Sequence, residues 1–412
     1  RKGTLEKMGY RCKATKPWLS ISGEEVCTAK TEDVKVVLRG ATNVWFADTR
    51  SSISIPVDDI STRRKIIGIL NEWFDTLNAS RTNGQFDRNY INMFAVKNGV
   101  NADELYQAFV DRANNMMSNE DVNENTSEDE YRLQEYKVLC KTSGSDAMDF
   151  HSINYPIAEY NPIIHKYFKS ISLVPKLRET RAFVGFSRLE PNEKTVSERK
   201  KELRLGSKED WLPAVEVYGE GIFFQFDGKN LEKWAQQESV KKRIDTLNAS
   251  YHRSKFGKKT LGDLRPEFVL IHTFAHLVIN RLSFDCGYGS SSIRERIYCE
   301  KTTNSLGMYG LLIYTASGDS EGSLGGLVRQ GEMGRLEDTI INAIENATWC
   351  TSDPICIQSS GQGPESLNLA ACHNCALLPE TSCENGNRLL DRGAVVGTLQ
   401  DTDIGFFREI RN

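Results

Sequence analysis

Five of the ten cysteines in this 412-residue chain fall between positions 350 and 383, and that cluster constrains the fold more than any other feature. The strings are WCTSDPIC, with Cys350 and Cys356, then AACHNC, with Cys372 and Cys375, then ETSCENGN, with Cys383. A CxxC knuckle sets two sulfurs on one tight turn, a bite that suits a tetrahedral ion at about 2.3 Å per Zn–S bond. Cys350 and Cys356 can supply a second pair from across a loop rich in Ser, Gly and Gln. Zinc asks for soft, deprotonated ligands and no redox chemistry, and four thiolates meet that demand. Buried free cysteines are the simpler reading, since they pack as small hydrophobes. Flanks of Gly, Ser, Pro and Asn in place of apolar runs speak against it. Disulfides belong to oxidising compartments, and the sequence carries no signal peptide or other secretory mark. The cluster therefore predicts Zn2+ on Cys350, Cys356, Cys372 and Cys375, with Cys383 as the spare or a substitute ligand. His373, inside the knuckle, is expected to point away.

The chain is too long for one small core, and two or three domains are the default. A hydrophobic fraction of 39% and a charged fraction of 26% are ordinary for a globular protein. No apolar run approaches the ~18–20 residues of a membrane span, so no membrane role is expected. A net charge of −4 gives no global basic signal for nucleic acid, and DNA contact would have to come from local patches. Ten cysteines without a leader predict a reducing, cytoplasmic setting. The first residue is Arg, not Met, so further sequence is expected upstream.

Residues 1–60 read as a strand-rich segment: VKVVLRG, NVWFADT and SISIP are β-branched and aromatic runs punctuated by Gly and Pro. Residues 61–165 read as a helical module. Ile66, Ile67, Leu70, Trp73, Phe74 and Leu77 fall on helical spacing, Ala102–Met117 forms a second amphipathic helix, and 130–140 a third. NEDVNENTSEDE between them is acidic and apolar-poor, and predicts a solvated connector. Residues 166–262 mix strands (TRAFVGFSRLEP, LPAVEVYGEGIFFQF) with a helix starting at LEKW and with two basic runs. Lys200, Lys201, Lys241, Lys242, Arg243, Lys255 and Lys258 are the candidate DNA contacts, each able to release counterions from a phosphate backbone. A plain solvated face is the competing reading. Residues 263–412 hold a core helix, a buried strand (GMYGLLIYTASGD), a Gly-rich loop and the cysteines. The fold class is mixed α/β (α+β) and multidomain, with a C-terminal four-cysteine zinc-binding domain.

His272 and His276, four apart in RPEFVLIHTFAHLVINRL, share one helix face. The spacing resembles a zinc-protease helix, but H-T-F-A-H lacks the Glu that serves there as general base. A structural pair hydrogen-bonded to backbone, bracing the zinc domain, is the expectation, and a metal-dependent nuclease on these histidines is the remote alternative. Arg294, Glu295 and Arg296 read as a charged patch before a strand. No GxxxxGK[ST], GxSxG or strand-borne GxGxxG occurs, so neither nucleotide hydrolysis nor another autonomous catalysis is expected of this chain.

AACHNCALLPETSCENGNRLLDRGAVVG, preceded by WCTSDPIC, resembles the C-terminal zinc-binding domain of MrfA-type DNA helicases. LRPEFVLIHTFAHLVINRLSFDCGYGSSSIRERIY, LPAVEVYGEGIFFQF and the early KPWLS, LRGATNVWF and SSISIP are similar to DrmB-like subunits of DISARM, a bacterial anti-phage system. The resemblance spans most of the chain. It implies a non-ATPase accessory subunit that braces a superfamily 2, DrmA-like helicase and helps bind DNA, single-stranded or with a single-stranded overhang. It also implies cysteine-rich sequence upstream, making Cys12 and Cys27 half of a second zinc site. MrfA-type helicases carry motor and zinc domain on one chain, whereas no motor is visible here. A free-standing zinc-dependent DNA-binding protein without a motor is the other reading.

Overall fold

The computed structural model describes residues 7–9, 46–56, 58–82, 85–117, 124–187, 211–254, 257, 262–300, 307–315 and 326–411. Cys12, Cys27, Lys200, Lys201, Lys255 and Lys258 lie outside them, as does the Gly-rich stretch 316–325. Two compact units emerge, one of residues 1–52, 179–217 and 251–260, the other of residues 53–178, 218–250 and 261–412. Within the smaller unit Arg181 pairs with the buried Glu179 at 2.7 Å. No described helix is long and apolar enough to cross a membrane.

Among the described residues the first strand, β1 (Phe46–Ile53), is followed by α1 (Asp58–Ala79), a small hairpin of β2 (Arg81–Thr82) and β3 (Gln85–Phe86), then α2 (Arg88–Asn98) and α3 (Ala102–Met117). Asp87 caps α2 by accepting from the Asn89 and Tyr90 amides at 3.0 and 3.1 Å, and Gly99 ends it at φ +63°. Ile66, Leu70, Phe74, Leu77, Ile91, Leu105 and Phe109 form one buried cluster among these helices. Trp73, on the same spacing, is exposed and lies tilted against Phe94. The next helix, α4, runs Glu124–Leu139, so part of the predicted acidic connector is helical. That stretch contains no Gly or Pro, and its carboxylates gather at the helix N-terminus, where negative charge is favoured.

The larger sheet is antiparallel where its register is defined. Its strands are β4 (Ser145–Ala147), β5 (Phe150–Pro156), β6 (Phe168–Ser187), β7 (Ala214–Phe226), β8 (Ile293–Tyr298) and β9 (Gly310–Thr315), in spatial order β4-β5-β6-β7-β9-β8, with β1 added to β6. The strand predicted from Thr180 begins earlier, at Phe168; Pro175 within the run disguises its first half. β7 runs unbroken through Gly219 and Gly221. A Cβ at Gly219 would stand 1.7 Å from the Thr315 carbonyl oxygen, so only glycine lets the strand approach β9 there.

After β7 the chain forms α5 (Gly228–Ala235) and α6 (Glu238–Arg253), two helices where the sequence pattern suggests one, and then the core helix α7 (Pro266–Cys286). Pro266 opens α7 and Gly287, at φ +70°, ends it. Fourteen of its residues are buried, on all sides, because the sheet, a following helix α8 (Gly326–Gln330), α9 (Leu336–Asn346) and α10 (Arg392–Val396) surround it. Phe274 of α7 meets Phe224, Phe226 and Phe407, stacking on the last with centroids 4.9 Å apart.

The charged patch expected before a strand is instead the strand β8 itself, and Glu295 and Arg296 are each 1% exposed. Alternate residues of β8 face opposite layers, both covered. Arg296 pairs with Glu135 of α4 at 2.6 and 2.9 Å, and the Tyr298 hydroxyl donates to the same carboxylate at 2.9 Å. Removing one member leaves a buried charge without its counter-charge. Arg296→Ala is expected to destabilise this unit by about 3–5 kcal/mol in chemical denaturation. The apolar double variant Glu135→Leu with Arg296→Met is expected to recover much of that stability.

Candidate metal centre

The Cys350 and Cys356 sulfurs come from the loop after α9, and those of Cys372 and Cys375 from the knuckle 372–375; all four lie within 4.8 Å of one another. Measured edges are 3.5 Å for Cys350–Cys372, 3.7 Å for Cys372–Cys375 and 3.8 Å for Cys356–Cys375. A tetrahedron with bonds of about 2.3 Å has edges of about 3.8 Å. The sulfur cage therefore has the size of a zinc site before any ion is added.

The local chain is built to hold that cage. Asp353, within the CTSDPIC string, accepts from the Cys350 amide at 2.8 Å and from the Ile357 amide at 3.0 Å, closing the first turn. Arg392, wholly buried, donates to the same carboxylate at 2.6 Å and to the Ala347 carbonyl at 2.8 Å. Amides and a side chain also donate to sulfur: Ser352 to Cys350 at 3.4 Å, Cys372 to Cys375 at 3.3 Å, and the Gln362 amide group to Cys356 at 3.6 Å. Gln362 also donates to the Leu369 carbonyl, which fixes its orientation.

Electrostatics divide the sulfurs, with Cys372 raised by burial as well. A hydrogen bond with the Cys375 sulfur pulls the Cys356 thiol down to about 5, while the same contact pushes Cys375 up. Burial works against charge on Arg392, but Asp353 and the nearby sulfurs of Cys375 and Cys356 outweigh it and hold the guanidinium charged. Protons alone leave these sulfurs unequal. Four equivalent thiolates need a cation at their centre, and the donor set, spacing and size fit Zn2+.

Cys383 is not in this cage: its sulfur lies 3.2 Å from His272 Nε2, in a separate group with His276 and Glu295. Both histidines are completely buried, and His276 Nδ1 donates to the Ala376 carbonyl, one residue past the knuckle, at 2.7 Å. That burial leaves neither imidazole at the surface of the protein. Of the candidate DNA contacts among the described residues, Lys241 and Lys242 are exposed on α6. Arg243 turns inward and grips the buried Asp391 with two bonds of 2.6 and 2.7 Å, because a carboxylate without solvent requires a cation. Sequence reasoning misses Asp353, Gln362 and Arg392; only Asp353 leaves a signal, lying between two cysteines and before a proline.

Residues 274–376 match the family described as the MrfA Zn-binding domain, and that match takes in all four cage cysteines. A fold of this kind around such a cage defines a zinc-binding protein of the MrfA domain class. The chain is also 33% identical to the DISARM protein DrmB of Bacillus paralicheniformis, over 97% of this chain and 70% of that protein. It belongs to the DrmB family.

Two measurements check the cage. Asp353→Ala is expected to weaken zinc retention by about 10–100-fold in chelator competition, since it strips orientation from one ligand turn. Cys372→Ser is expected to lower the unfolding temperature of the larger unit in scanning calorimetry, since metal binding and folding are coupled there.

Proposed function

We propose that this chain is the non-ATPase, zinc-braced accessory subunit of a DISARM-like anti-phage complex, seated on a superfamily 2 helicase and contributing to its DNA path. The observation that carries this reading is the similarity to DrmB across nearly the whole chain, and not to the zinc domain alone. Zinc serves folding in this proposal, and nucleotide hydrolysis belongs to the partner. The sequence offers no loop for β- and γ-phosphates.

Two surface features support the division of labour. Lys242 and Thr246 of α6 line a groove of about 350 Å³ with Gln358, Ser359 and Ser360 of the zinc-binding loop and with Asp401, a mixed lining whose lysine, amide and hydroxyls can donate to phosphate oxygens beside one carboxylate. Around the cage, Trp349, Ile355 and Phe284 are 66%, 82% and 80% exposed, large apolar side chains whose burial would reward a protein partner.

Co-expression of the tagged chain with an untagged helicase subunit tests the proposal. A stable stoichiometric complex with ATPase activity, beside an inactive lone chain, is the expected result. Tight, salt-dependent DNA binding by the lone chain with no helicase capture would point to the free-standing DNA-binding alternative. For the DNA contact itself, Lys241→Glu with Lys242→Glu is expected to weaken binding of single-stranded DNA by the complex. The slope of log affinity against log salt should shrink by about 1.4, at roughly 0.7 for each phosphate that the variant leaves without its lysine.

A further inference from the structure

We propose that His272, His276, Glu295 and Cys383 bind a second zinc ion, a buried structural site distinct from the four-cysteine cage. The four residues come from three places in the fold: the histidines from one face of α7, Glu295 from the middle of β8, and Cys383 from the loop beyond the knuckle. All four are buried, and their donor atoms lie within 4.8 Å of one another. The family match runs from 274 to 376, so it includes neither His272 nor Cys383.

Hydrogen bonding alone accounts poorly for this group. His276 donates from Nδ1 to the Ala376 carbonyl, so a neutral ring turns the Nε2 lone pair inward. That lone pair faces Glu295 Oε2 at 3.5 Å, with neither atom making a hydrogen bond. Two acceptors opposed in a dry interior repel each other unless a proton or a metal cation lies between them, and 3.5 Å is long for a bridging hydrogen bond. His272 Nε2 sits 3.2 Å from the Cys383 sulfur and 3.1 Å from Glu295 Oε1, three polar atoms crowded together that protons alone satisfy only if both the ring and the thiol carry one.

A dication resolves each conflict at once. The separations of 3.1, 3.2 and 3.5 Å lie within about 0.4 Å of the edges of about 3.3–3.6 Å expected of a tetrahedron with one Zn–S bond and three bonds to nitrogen or oxygen. The supporting contacts are those of a metal site. The Ala376 carbonyl orients one imidazole, the Glu384 amide donates to Glu295 Oε1 at 3.1 Å, and the Asn385 and Asn387 amides donate to the Cys383 sulfur at 3.3 and 3.2 Å. Amide donation to sulfur is also the device that the four-cysteine cage uses. Two imidazoles, a carboxylate and a thiolate form a borderline donor set that selects zinc over calcium or magnesium. Four protein ligands with no solvent access make the site closed, hence structural and not catalytic.

The test is metal stoichiometry of the intact chain, purified without chelator and measured by plasma mass spectrometry. Two zinc ions per chain are expected. Glu295→Gln and Cys383→Ser should each lower the count to one, and Cys372→Ser with Cys375→Ser should leave the other one in place. A single zinc per chain, absent from the Cys372/Cys375 variant and kept in the other two, would overturn the proposal. Should the variants fail to fold, cobalt substitution of the unaltered chain decides the matter. Two cobalt ions per chain, with a second weaker ligand-field pattern beside intense thiolate charge transfer, support the site; one cobalt with four-thiolate bands alone sinks it. These counts need neither helicase nor DNA, so their outcome stands apart from that of the accessory-subunit reading.

Discussion

Four sulfur atoms held within 4.8 Å cannot all carry charge unless a positive ion sits among them. That electrostatic demand organises the C-terminal half of the molecule. The loops that converge on the cage have almost no regular secondary structure, and they bury Leu367, Leu369, Ala371 and Leu378 beside their Ser, Gly and Asn residues. Metal binding energy of order 10 kcal/mol or more adds to that burial in ordering such loops. Asp353 and Arg392 then propagate the order outward: the carboxylate fixes the first cysteine turn, and the guanidinium ties that turn to the end of α9.

Helix α7 is the counterpart on the apolar side. Its phenylalanines join the aromatic layer under the sheet, while its histidines reach the loop of the cysteines. One helix thus belongs to two chemically different interiors, an aromatic one and a polar one. Glu295 on β8 completes the polar interior, and the strand also pairs its backbone with Ser382 at 3.1 Å. The zinc-binding segment is in this way built into the sheet layer and is not an appendage to it.

What is legible in the sequence follows from locality. The cage is readable because its ligands come in pairs spaced for tight turns, a pattern that only metal chemistry explains well. The length of α7 is readable from Pro266 at its start and its unbroken apolar run. Cys383 is not, since its partner His272 lies 111 residues away. Nor is the burial of Glu295 and Arg296, because Arg296 finds its counter-charge 161 residues upstream, on a helix whose first turns look like an acidic tether. Arg243 misleads for the same reason: a run of cations reads as surface until a buried carboxylate 148 residues away claims one of them.

That last contact has a mechanical meaning. Lys241 and Lys242 project to solvent, and the next residue is bolted to Asp391, which itself accepts the Ala370 and Gly393 amides beside the cysteine loop. A pull on the outer face of α6 therefore reaches the metal-bearing segment through two short charge-assisted bonds, with no slack linker between. The ion pair adds a polar tie to the apolar seat that Val240, Ile244 and Leu247 give the same helix.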